Sequence, residues 1–326
     1  MTVTAQHPPA APVEGVEGQR RRRRRPRTLA AGAAGTRTLV SAADLRRRRS
    51  RALYFAVLAV VTVLFLLVFF FPLYWMATGA LKSPTELALP APTLIPRTLH
   101  PETYAKAWNE LQIARFFLNT AFYALGGWLV QLAMDVGVAY ALSKLRPVLG
   151  WLVLGMMLAS LMLPPAALLV PAYLTVTNVP LVHVNLLNTP WALWLPAAAN
   201  AFNIYLLKRF FDQIPTDLID AARLDGAGPL RVLWSIVLPL SRPILAVVSI
   251  FAVVGVWKDF LWPLLVLQDP RAQTLSVALS RLSSTGRVPA NEMLAGMFIA
   301  SLPMIAIFLV FQRSIINGLS AGGLKG

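Results

Sequence analysis

One stretch of the 326-residue chain concentrates residue types suited to recognition of another protein rather than to bond making. It covers 208–243 and reads KRFFDQIPTDLIDAARLDGAGPLRVLWSIVLPLSRP. After Pro215, a short helix is expected with Thr216 or Asp217 as its N-cap. Asp217 and Asp220 fall in its first turn, where the helix dipole favours acids. Gly226 and Gly228 break that helix, and Pro229 suits the first turn of a second one. Leu218, Ala221 and Ala222 recur at helical spacing on one face, small enough for a foreign surface to approach closely. The pattern predicts helix, glycine turn, helix: a plug shaped for a partner's cleft.

Reaction chemistry finds little support elsewhere. The chain has no Cys, which excludes disulfides, cysteine nucleophiles and thiolate metal sites. His7, His100 and His183 are far apart and lack metal-spaced acids, so no metal site is expected. Glu86, Glu102 and Glu110 are too widely spaced to form a carboxylate pair. No G-x-x-x-x-G-K-[ST] phosphate loop is present, nor any Gly-Lys pair, so no ATP site and no catalytic residue is expected in this chain. Asp135 is an acid within a long apolar stretch; it reads first as a hydrogen-bonding tie to a neighbouring helix, and a chain of acids that would suggest proton coupling is missing.

The elements that position these residues follow from composition. Hydrophobic types make up 57% and charged types 13%, where a soluble domain carries about 25% charged residues, so the expected solvent is lipid. A bilayer core of about 30 Å takes roughly 20 apolar residues per helix. Six stretches qualify, at about 53–78, 118–142, 151–173, 186–207, 244–267 and 293–316, without strand alternation. An all-α polytopic membrane bundle of six transmembrane helices is expected. The third and fourth stretches are interrupted by Pro164, Pro165, Pro190 and Pro196, which lose backbone donors and are tolerated where a cavity or neighbour compensates. They are the expected lining of a solute path. Trp194, Asn200, Asn203 and Tyr205 are its candidate residues, amides and flat rings that suit a sugar, although each taken singly reads better as packing or interface anchoring.

Thirteen of the 30 basic residues lie in 1–51, including the runs 20–25 and 46–49, beside three acids. That segment lacks apolar periodicity and is expected to be a disordered cytoplasmic tail and orientation signal rather than a nucleic-acid arm. No short apolar stretch with a small-residue cleavage site precedes the first span, which therefore reads as retained. With both termini inside, 22 basic residues fall on the inner side and eight on the outer. This places 208–242 in the cytoplasm.

The string Asp220-Ala221-Ala222, three residues, Gly226, nine residues, Ile236, one residue, Leu238-Pro239 resembles the Glu-Ala-Ala loop of binding-protein-dependent ATP-binding-cassette importers, with Asp220 in place of the usual Glu. The resemblance implies that these residues form coupling helices docking on separate ATPase subunits. Asn119-Thr120, Ala139-Tyr140-Ala141-Leu142, Trp257-Lys258-Asp259-Phe260-Leu261 and the ending Gln312-Arg313, Gly318-Leu319 and Leu324-Lys325-Gly326 are similar to sugar permeases of the maltose-transporter kind, which often carry Asn-Glu where this chain has Lys258-Asp259. The resemblance covers about 52–326, the expected transmembrane domain, and leaves the Arg-rich tail outside. It implies the second permease of a carbohydrate importer in the cytoplasmic membrane. The implied partners are a homologous permease, two ATPases that bind the ATP, an extracytoplasmic solute-binding protein and membrane lipids. The competing classes are a stand-alone secondary transporter, a permease for a non-sugar solute and a membrane-embedded enzyme.

Overall fold

The computed structural model describes the backbone of residues 48–323, with side chains for Arg49 and for 51–312. The expected tail disorder, the side chains of Arg313 and Leu319 and the Leu324-Lys325-Gly326 ending lie outside the described residues. The chain divides into two units at Phe65 and Leu66. Among described residues the first contributes only the opening half of helix α1, Arg48–Ala80. This helix is apolar on all sides, and every side chain from 51 to 70 is exposed, which suits a lipid-facing span.

The second unit is all-helical among its described residues. Short helices α2 (Pro84–Leu87) and α3 (Glu102–Asn109) lead to α4 (Ile113–Tyr140), which ends in a π turn, Ala141–Leu145. Then follow α5 (Gly150–Ser160), α6 (Pro165–Thr177), α7 (Trp191–Ala197), α8 (Ala201–Asp212), α9 (Thr216–Leu224) and α10 (Pro229–Val232). A second π turn (Leu233–Val237) and α11 (Leu238–Leu240) precede α12 (Arg242–Lys258), α13 (Leu261–Val266), α14 (Leu275–Ser284) and α15 (Ala290–Gly323).

Helix α4 is the axis of this unit. Thr120, Tyr123, Ala124, Gly127, Gln131, Asp135 and Ala139 recur every three to four residues and bury one face against α7, α8 and α12. Lipid tails are as apolar as these side chains, so close packing rather than water exclusion must hold the helices together. Gly126 supplies the closest approach: a Cβ there would lie 2.1 Å from the Trp194 ring. The Trp194 indole N–H also donates to the Tyr123 carbonyl at 3.0 Å. At the start of α4, Asn119 Nδ2 donates to the carbonyls of Arg271 and Gln273 at 2.9 and 3.0 Å, and Thr120 Oγ1 accepts from Leu275 N at 2.8 Å. The Asn-Thr pair is thus a clamp on the segment before α14.

The six expected stretches are not all single straight helices among the described residues. Among described residues, three helices are long and apolar enough to cross a membrane: 51–80 of α1, α4 with its π turn, and α15 as far as Gln312. Two bent pairs bring the number to five, if each counts as one span. The stretch 151–173 is α5 and α6, bent by 111° where Pro164 and Pro165 forbid helix continuation. The stretch 186–207 opens irregularly, with left-handed Asn188, and is split into α7 and α8 at 198–200 after Pro196. In 244–267, α12 stops at Lys258 because Asp259 is extended, while on its other side it bends 86° from Pro229–Leu240.

Candidate functional site

Helix α9 begins at Thr216 with Pro215 at the cap position and no side-chain cap bond, so neither Thr216 nor Asp217 is the N-cap. Its far end follows the expectation. Gly226 takes a left-handed φ of 82°, Ala227 N donates to the Ala222 carbonyl at 2.9 Å, and Pro229 opens α10.

The helix pair is welded to the bundle from one side. Ile219, Val232, Leu233 and Val237 are buried in a cluster with Tyr140, Leu207, Phe211 and Val248. Tyr140 Oη donates to the Pro229 carbonyl at 2.9 Å, and Lys144 Nζ donates to the Ile214 carbonyl at 3.0 Å. Ser143 Oγ donates to Asp212 Oδ1 at 2.7 Å, and Lys208 Nζ lies 2.8 Å from Asp212 Oδ2. Burial alone would raise the Asp212 carboxyl, but the hydrogen bonds from Lys208 and Ser143 outweigh it and hold it below its ordinary pKa.

The opposite side is open. Asp220 and Ala221 are exposed, with Asp220 3.4 Å from Arg223, as are Leu218, Leu224 at 90%, Leu230 at 72% and Trp234 at 69%. Ala222 turns the other way and packs on the buried cluster, so Leu218, Ala221 and Ala222 do not form one outward face. Ile236 and Leu238 are half-buried and Pro239 is exposed. Motif residues therefore divide into an outward set, Asp220, Ala221, Gly226 and Pro239, and a set packed on the buried cluster, Ala222 and Leu238, with Ile236 half-buried. The large apolar residues Leu224, Leu230 and Trp234 went unnoticed in the sequence reading, although a Leu next to Asp225-Gly226 already pointed to an exposed helix end.

A groove of about 600 Å³ lies among α4, α7, α8, α12 and α13. Asn200 and Asn203 line it; Trp194 and Tyr205 do not. Its other polar and aromatic lining includes Gln131, Lys258, Asp259 and Trp262. Trp194 is instead packed on Gly126, with Phe122 and Trp191 as ring neighbours. Asp135 is buried behind the groove. Its Oδ1 accepts from Asn200 N at 2.8 Å, and Asn200 Oδ1 accepts from Asn203 N at 3.1 Å, so Asp135 ties α4 to the first turn of α8 where the chain is broken. Among the described residues, no group of three or more His, Asp or Glu is placed to hold a metal ion.

A broken-helix bundle with a short helix pair exposed beside it defines a polytopic helical membrane protein with an open groove of about 600 Å³. Residues 133–319 match the sequence pattern of the family described as "Binding-protein-dependent transport system inner membrane component", and the chain belongs to that family. It is 32% identical over 270 residues to Protein LplC of Bacillus subtilis (strain 168), covering 78% of this chain and 89% of that one. It is 30% identical to the diacetylchitobiose uptake system permease protein NgcG of Streptomyces coelicolor, covering 88% and 93%. Its fold matches a solved bacterial ABC transporter involved in the import of the acidic polysaccharide alginate, with a TM-score of 0.71 at 24% identity, over 82% of this chain and 98% of that chain.

Proposed function

We propose that the protein is the permease subunit of an ATP-driven carbohydrate importer. It works with a second permease, two ATPases that dock on 216–239 and an extracytoplasmic solute-binding protein. The observation that carries this reading is the exposed α9 to α10 turn, whose inner side is fused to the ends of α4 and α8. A force applied to Leu218, Asp220, Leu224 and Leu230 from outside reaches the spans through Ile219, Val232 and the Tyr140 hydrogen bond, without a flexible link between. Closure of the ATPases then rocks the packed helices from one access state to the other, a rigid-body transition. Sugar uptake by a family relative supports the choice of carbohydrate.

In this account α7 and α8 together make a further broken crossing, so six crossings leave both termini and the α9 to α10 face in the cytoplasm, the side that carries the excess of basic residues. A secondary transporter would need an ion site, and Asp135 is committed to Asn200 instead. The test is Gly226→Val. A Cβ would meet nothing within 4 Å, but a β-branched residue at φ 82° is strained by roughly 1–2 kcal/mol, so the turn deforms while the bundle stays intact. The expected result is normal insertion with ATPase association and uptake both lost; unchanged uptake counts against a coupling role.

A further inference from the structure

We infer that the groove selects a saccharide bearing a carboxylate or phosphate, and that Lys258 is the residue that reads the charge. This rests on the carbohydrate reading above and narrows its substrate class. Two charged side chains line the groove, Lys258 and Asp259, and they are not equivalent. The Asp259 carboxylate faces the backbone N–H groups of Trp262, Phe260 and Leu261 at the start of α13, which with the neighbouring Lys258 charge favour its ionised form. Among the described residues the ion pairs are His100 with Glu102, Lys208 with Asp212 and Arg223 with Asp220, so no carboxylate lies within 4 Å of the Lys258 ammonium.

A neutral sugar needs amides and flat rings, and the groove supplies these in Asn200, Asn203 and Trp262. An exposed ammonium beside them donates ordinary hydrogen bonds to the hydroxyls of such a solute, but its charge discriminates only when the solute is anionic. For an anionic solute it offsets the penalty of taking charge out of water, the device that basic residues provide in anion pathways. The groove, at about 600 Å³, is in the size range of small-molecule sites.

The experiment uses the complex recovered from native membrane through the tagged full chain and placed in lipid nanodiscs. Equilibrium binding of radiolabelled glucose, glucuronate and glucose 6-phosphate is measured for the wild type and for Lys258→Met. The expected result is that glucuronate or glucose 6-phosphate binds roughly tenfold more tightly than glucose, a preference that weakens with added salt and disappears in Lys258→Met while glucose binding is unchanged. The arm that wins tells carboxylate from phosphate. Equal binding of glucose and both anions in the wild type, or a preference that survives Lys258→Met, overturns the assignment and leaves the carbohydrate reading standing. Binding of none of the three also overturns this inference, while the carbohydrate reading, which extends to oligosaccharides, is tested separately by uptake and co-purification.

Discussion

The Tyr140 hydroxyl donates to the Pro229 carbonyl across 2.9 Å, joining the last residue of α4 to the first of α10. Pro229 has no N–H of its own to give, and its carbonyl stands where the exposed turn re-enters the bundle, so this bond fixes how the exposed face of α9 and α10 is held. Tyr140→Phe keeps the ring in the cluster and removes the bond, at a cost of about 1 kcal/mol. Faster amide hydrogen exchange in 216–232, with the spans unchanged, is the expected outcome.

The two sides of α9 should respond oppositely to truncation. Ile219 is buried, and Ile219→Ala costs roughly 2–5 kcal/mol in the cluster beneath the helix. Leu224 is 90% exposed, so Leu224→Ala leaves stability within about 0.5 kcal/mol and instead lowers ATPase recovery. Melting curves and co-purification on the same two variants separate these effects.

At Gly126 the limit is space rather than backbone. A Cβ 2.1 Å from Trp194 must displace the indole, which also loses its bond to the Tyr123 carbonyl. Gly126→Ala is expected to destabilise the bundle by about 1–3 kcal/mol and to shift tryptophan emission. An unaltered melting temperature and spectrum would show that α7 does not sit against α4 in this way.

Asp212 makes the anchoring pH-dependent. Its carboxyl is held below the ordinary value, so its contribution is present in full above the ordinary carboxylate range and is lost as pH falls through its depressed pKa. Protection factors for amide exchange in 213–224, corrected for the intrinsic pH dependence, should therefore stay high at neutral pH and fall on acidification, and Asp212→Asn should show the low protection already at neutral pH.

Local chemistry was legible in the sequence where one residue type decides the backbone. Gly226 and Pro229 mark the turn and the second helix because only a left-handed glycine and a first-turn proline suit those places. Counting apolar length was less informative. It marked 151–173 and 186–207 as proline-interrupted, and α5 with α6 and α7 with α8 do part at or beside Pro164, Pro165 and Pro196, but composition does not give the 111° bend between α5 and α6. The direction of Ala222 was hidden too, since positions 218, 221 and 222 share a face only until Ile219 draws the neighbouring edge inward. Trp194 was placed in the solute path by its type, and the tertiary neighbour that claims it, Gly126, lies 68 positions away. Asn200 and Asn203 do line the groove, but Lys258 and Gln131 reach it from α12 and α4, which only the fold brings together.

The central claim is that the exposed face of α9 and α10 receives an ATPase. Its most direct test is mild-detergent purification of the tagged chain from native membrane, with mass spectrometry of what accompanies it. The account predicts an ATP-binding-cassette ATPase and a second permease in stoichiometric amounts, both lost from Gly226→Val. A chain recovered alone, folded and still transporting, would contradict it.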